Sequence, residues 1–107
     1  SWDNLAGHVA RTGCIGVVSG VCTGYRFPGL VKTKNGRPVD AENLHHRESL
    51  IRIVQRAREI AEGRGAIGVN ILYCINDYGR VVRDAVDAGA DLIISGAGIP
   101  LRLPEYA

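Results

Sequence analysis

The sequence has little of what usually announces a function. No apolar run approaches the roughly 20 residues needed to cross a bilayer, which excludes a membrane-spanning helix. The formal net charge is only +2 over 107 residues. No run of Lys and Arg alternates with aromatic residues, so the pattern expected of a nucleic-acid binder is missing. Cysteine is sparse: Cys14, Cys22 and Cys74 are odd in number and form no CxxC pair. They read as reduced thiols of a cytoplasmic protein. His45 and His46 are adjacent and so point to different sides of any regular element. No third ligand stands at a useful spacing, and no metal site is expected. The chain also opens without a Met, at what reads as a helix start, so the missing signal peptide decides nothing.

What remains is ordinary for one small globular domain: 46% hydrophobic and 22% charged residues, with 14 glycines. Its centre is the stretch from Ala66 to Pro100, which has the form of a strand–helix–strand unit. Ile67 to Tyr73 is an apolar, partly β-branched run interrupted only by Asn70. Asp77 to Ala88 has helical spacing, with Tyr78, Val82 and Ala85 on one stripe and Val81 and Ala88 beside it. Gly89 stops that helix. Leu92, Ile93 and Ile94 form a short continuous apolar strand of the kind buried on both faces in parallel sheets.

Upstream, Ser1 is expected as the N-cap of a helix that Trp2 and Asp3 open and that runs to about Arg11. Asp3 suits the positive end of its dipole, and Leu5, Ala6 and Val9 form its apolar stripe. Gly13 ends it, and Cys14 to Ser19 is the first strand. From Gly20 to about His46 the periodicity is lost among glycines, prolines and the basic Lys32, Lys34 and Arg37. This segment reads as a lid or a surface excursion, and its place after a strand's carboxyl end favours the lid. Arg47 to Glu62 is the clearest helix, with Leu50, Ile53, Val54, Ala57 and Ala61 as its buried stripe. Its charges are expected to form a solvated face, with Glu48 and Arg52 spaced to pair. Three segments follow: a helix and strand over 1–19, a loop or lid over 20–46, and a helix–strand–helix–strand unit over 47–107. Such alternation implies an α/β fold with a parallel sheet, either small and open or part of a larger one.

Chemistry is sought at the carboxyl ends of the strands, where α/β folds hold their ligands. Asn70 is the most informative residue, because Asn is depleted in strands and its amide must find partners for two donors and an acceptor. Two readings stand open. The amide bonds to a neighbouring loop, or it faces a planar heterocycle such as the pyrimidine edge of a flavin. Ser95 to Pro100 is a small-residue turn whose glycines permit close approach of a ligand. With no helix expected after it, this is not a dinucleotide fingerprint. Ser19 and Gly20 hold the equivalent place after the first strand. Asp77 reads as a helix cap, Asp87 as a surface partner of Arg83, and Cys74 as a packing thiol. No spaced carboxylate couple and no Ser–His or Cys–His pair is visible.

With these residues in place, four stretches together resemble the nitronate monooxygenase family, formerly called 2-nitropropane dioxygenases. They are Ser1 to Gly7 (SWDNLAG), Gly68 to Leu72 (GVNIL), Asn76 to Tyr78 (NDY) and Ile94 to Pro100 (ISGAGIP). The flavin-dependent enoyl-acyl-carrier-protein reductases are related to that family. The resemblance spans the chain apart from Arg26 to about Leu44. It implies a (β/α)8 TIM barrel with non-covalent FMN at the carboxyl ends of its strands, of which this chain resembles the first part. It also implies that Asn70 contacts the flavin, with Ser19 and Gly20 nearby, and that Gly96, Ala97 and Gly98 line the substrate pocket. The family's first strand would precede Ser1, and its catalytic His and phosphate loops would lie beyond Ala107. The activity implied is oxidation of alkyl nitronates by molecular oxygen, with NAD(P)H as a further electron donor, and little catalysis by this segment alone. Two competing readings are a non-catalytic half-barrel that associates with another chain or copy through open sheet edges, and a piece of a phosphate-sugar enzyme. The second is disfavoured because no phosphate loop or catalytic Lys stands at a strand end.

Overall fold

A computed structural model describes residues 2–27, 33–35, 37–38 and 47–107. Helix α1 (Asp3–Arg11) leads into strand β1 (Ile15–Ser19) and a 3-10 turn at Thr23–Tyr25. Two short strands, β2 (Thr33–Lys34) and β3 (Arg37–Pro38), pair antiparallel as a separate ribbon. Helix α2 (Arg47–Ala61), strand β4 (Ala66–Leu72), helix α3 (Tyr78–Asp87), strand β5 (Leu92–Gly96) and the single turn α4 (Leu103–Tyr106) complete the order. Strands β1, β4 and β5 form one parallel sheet in that spatial order, with β4 central. The α/β class expected from the alternation is therefore present. The ribbon and the 3-10 turn lie where no regular structure was expected, and the remainder of the expected lid, with His45 and His46, lies outside the described residues. No helix among the described residues is long and apolar enough to cross a membrane.

The core forms where the helices meet one face of the sheet. Val18 of β1 and Ile67, Val69 and Ile71 of β4 are buried beneath Leu50, Ile53, Val54 and Ala57 of α2 and Val81, Val82 and Ala85 of α3. The apolar stripes expected for the second and third helices are thus the ones buried. Gly63 and Gly89, at φ of +75° and +95°, take the left-handed conformation that ends them.

Helix α1 departs from expectation. Its N-cap position is Trp2, with no side-chain cap, and Ser1 lies outside the described residues. The buried side is Asp3, Ala6, Gly7 and Ala10, while Leu5 is 62% exposed and Val9 also faces solvent. The cause is close packing on two sides. A Cβ on Gly7 would stand 2.6 Å from that of Ile60 in α2, and one on Gly16 of β1 would collide with the Ala6 carbonyl. Only small residues fit that seam, so the large apolar ones turn outward.

By strand alternation, the opposite face of the sheet carries no helix among the described residues. Ile15, Val17 and Ser19 of β1, Gly68, Asn70 and Leu72 of β4, and Leu92, Ile94 and Gly96 of β5 share it by register. Ile15 is 54% and Ile94 42% exposed. Strand β5 is therefore covered on one face only, which corrects the expectation that both would be buried.

Candidate functional site

The candidate residues converge at the carboxyl edge of the sheet. Ser19 and Asn70 are Cα partners across β1 and β4, and Asn70 pairs in turn with Ile94 of β5. The Gly20 amide donates to the Asn70 carbonyl at 2.8 Å, closing the ladder at this end. Gly96 pairs with Leu72, two residues beyond Asn70, and the Tyr73 amide donates to its carbonyl at 2.7 Å. Ala97, at φ +57°, and Gly98, at φ +150°, then carry the chain away from the sheet.

These positions differ in what they leave available. Asn70 is exposed on the helix-free face, and among the described residues its carboxamide has no hydrogen-bond partner. Among the described residues, no loop supplies that amide with a partner. Ser19 is engaged locally: its hydroxyl accepts from the Val21 amide at 3.2 Å and donates to the Val21 carbonyl at 3.3 Å. The Gly20 amide is likewise spent, and the residue is buried, with Ile71 and Val69 at 3.0 and 3.1 Å from where a Cβ would stand. A Cβ on Gly96 would meet nothing within 4 Å, so its open side faces free space, whereas one on Gly98 would strike the Tyr73 ring at 2.5 Å. Gly98 is therefore needed for packing within the turn.

The turn is braced by aromatic residues that sequence reading passed over. The Tyr78 hydroxyl donates to Ser95 Oγ at 2.9 Å. Tyr78 meets Tyr73 edge-on at 5.0 Å and Tyr106 at 6.1 Å. Arg83 and Arg102 both lie over the Tyr106 ring, at 5.3 and 5.4 Å from its centroid. The sequence places Tyr78 on a core stripe and in the NDY stretch; a buried tyrosine hydroxyl needs a partner, and that requirement is the available signal.

The charges of α2 do not form a merely solvated face. Arg56 and Arg26 both bond the Asp3 carboxylate, at 2.8 and 2.9 Å, and Asp3 is only 1% exposed. Burial pushes the Asp3 carboxyl up, but the hydrogen bonds from Arg26 and Arg56 outweigh it and hold its pKa below the ordinary value. Arg47 bonds Asp84 at 3.1 Å and approaches Asp87 at 3.8 Å, tying α2 to α3. Arg52 lies over Phe27 at 5.8 Å, and no Glu48–Arg52 pair occurs among the described ion pairs. Asp87 does not pair with Arg83, which is directed to Tyr106 instead. Asp77 holds the N-cap position of α3 without a side-chain cap and pairs with Arg80 at 3.5 Å. Cys74 is exposed, not packed.

No group of His, Cys, Asp or Glu among the described residues is arranged to hold a metal. His8, on α1, is exposed and bonds the Asn4 carbonyl through Nδ1 at 2.8 Å, away from the strand ends. A concave cavity of about 210 Å3 lies at the other edge of the sheet, near the starts of β4 and β5. None of the candidate residues lines it. The chain matches no protein-family model and no curated protein.

Proposed function

We propose that the carboxyl edge of this sheet forms one side of an FMN site in an oxidoreductase of nitronate monooxygenase type, and that the sheet is an arc of a (β/α)8 barrel. The single observation that carries the reading is the Asn70 amide, exposed on the sheet face that bears no helix and unpartnered among the described residues. An exposed Asn in the central strand of a parallel sheet is a poor structural choice, and it is well suited to the alternating donors and acceptors of a pyrimidine edge. The one-sided placement of helices also fits a barrel, whose inner face is filled by strand side chains and whose outer face is covered by helices.

The residues fit the flavin in part. Asn70 would bind and orient the heterocycle, Gly96 would admit it close to the backbone, and Ala97 and Gly98 would shape the substrate side. Ser19 and Gly20 would contribute shape alone, since their polar groups are engaged. Bound FMN would supply the redox chemistry for oxidising an alkyl nitronate with molecular oxygen; NAD(P)H as donor, or an enoyl thioester as substrate, belongs to the same reading. No side chain suited to act as base stands at the described strand ends, so the chain alone is expected to bind and not to turn over.

Titration of the chain with FMN, followed by flavin fluorescence, tests this. Saturable quenching, weakened about tenfold by Asn70→Ala through loss of its hydrogen bonds, is the expected result. Quenching that fails to saturate, or that the substitution leaves unchanged, overturns it.

A second reading rests on the same uncovered face: a non-catalytic module whose helix-free face is covered by another copy of the chain. The absence of charge on that face favours it, because two copies would not repel.

A further inference from the structure

We propose that the cavity at the amino edge of the sheet is a binding site for a small oxyanion, a phosphate or phosphoryl group. It lies at the opposite ends of the strands from Asn70 and does not depend on the flavin reading.

Two guanidinium groups, those of Arg58 and Arg64, line the cavity, and Asp91 is the one acid on its wall. That acid is already neutralised. Its Oδ2 accepts from Arg58 Nη1 at 3.1 Å and from the Ile67 amide at 2.8 Å, while the same Arg58 nitrogen donates to the Gly89 carbonyl at 2.8 Å. Arg58 is thereby fixed in place with donors left over, since a guanidinium has five. Arg64 makes no ion pair among the described residues, so its charge is uncompensated. The lining carries a net positive charge and presents two forks suited to the oxygens of one anion.

The opposing term is the carboxyl end of α2, whose carbonyls disfavour an anion. Two of those carbonyls already accept backbone hydrogen bonds. The Glu62 amide donates to Glu59 and the Arg64 amide to Ala61, at 3.2 and 3.0 Å. The side chains of Ala61 and Ile67 supply an apolar floor, which strengthens the attraction above it. Gly63 has open space where a Cβ would stand, so an anion can reach the backbone there. The volume of about 210 Å3 falls short of the roughly 300 Å3 at which pockets begin to bury whole drug-sized ligands. It suits an ion or a headgroup.

The test follows backbone amide resonances of the isotope-labelled full chain during titration with inorganic phosphate and with glycerol phosphate, sodium chloride serving as the ionic-strength control. Saturable shifts at Gly63 and Gly65 are expected, about tenfold weaker in Arg64→Gln, partly retained in Arg64→Lys and unchanged in Asn70→Ala. Arg64 is exposed, so its substitution spares the fold, whereas changing Arg58 would also break the Asp91 contacts. Equal response to both titrants assigns the site to the oxyanion itself; response to the ester alone assigns it to a phosphoryl group carried by a larger molecule. Shifts that never saturate, that chloride reproduces, or that survive Arg64→Gln overturn the proposal.

Discussion

Asp3 shows how a residue chosen for one local reason can serve another. A carboxylate in the first turn of a helix is favourable on its own. Here it is also buried and accepts hydrogen bonds from two arginines 23 and 53 residues away. Both guanidiniums are partly hydrated, at 32% and 55% side-chain exposure, which discounts the pairing energy. Replacing Asp3 with Asn removes the charge and leaves one accepting oxygen where two served both arginines, at a cost of about 1–3 kcal/mol. Because the folded-state pKa lies below the unfolded one, the stabilisation is present above the unfolded pKa and is lost as pH falls through the folded value. Chemical denaturation of the parent and Asp3→Asn chains should therefore differ most near neutrality and converge in acid. A gap that stays constant to low pH would mean that Asp3 acts through packing, not charge.

At the scale of elements, the seam between α1 and the rest of the domain is set by Gly7, Gly16 and Gly65. Gly16→Ala would drive a methyl into the Ala6 carbonyl, which cannot move without moving the helix. A loss of about 2–3 kcal/mol follows, measurable as a lower urea midpoint with an unchanged slope. Gly96→Ala is the contrast: with no neighbour within 4 Å, it should leave stability within about 0.5 kcal/mol of the parent. Under the flavin reading it should still weaken FMN binding. Equal loss from both substitutions would show that the α1 seam is not specially tight. This seam also marks where sequence reading failed. The stripes of α2 and α3 were legible because Leu, Ile and Val recur there at helical spacing and each contacts one sheet face. The stripe of α1 was not, because periodicity counts large apolar residues, and here Ala6, Gly7 and Ala10 are buried while Leu5 is not. At the candidate site, Asn70 stood out as a polar residue in an apolar strand. The Tyr73–Tyr78–Ser95 bracing and the pairing of Asp3 with Arg26 and Arg56 join distant residues, and no local spacing announces them.

For the whole molecule, the decisive feature is that, among the described residues, the parallel sheet has helices on one face only. Such sheets occur almost wholly with both faces covered, and the uncovered one here presents Ile15, Val17, Leu72, Leu92 and Ile94 with no charge among them. Association between copies through this face removes apolar area from water at little electrostatic cost. Sedimentation velocity should then show species heavier than the 11.5 kDa chain, with the fraction rising with concentration. Ile15→Lys combined with Ile94→Lys places like charges on the face and should return the chain to monomer. Leu5→Lys changes an equally exposed residue on α1 and should not. Both altered strand positions are already open to solvent, so the fold loses little. If Asn70 binds FMN on the same face, the flavin should also shift the distribution toward monomer, since one surface cannot hold both. A chain that is monomeric throughout, or whose association ignores the lysine pair, would leave the flavin as the only proposed occupant of that face.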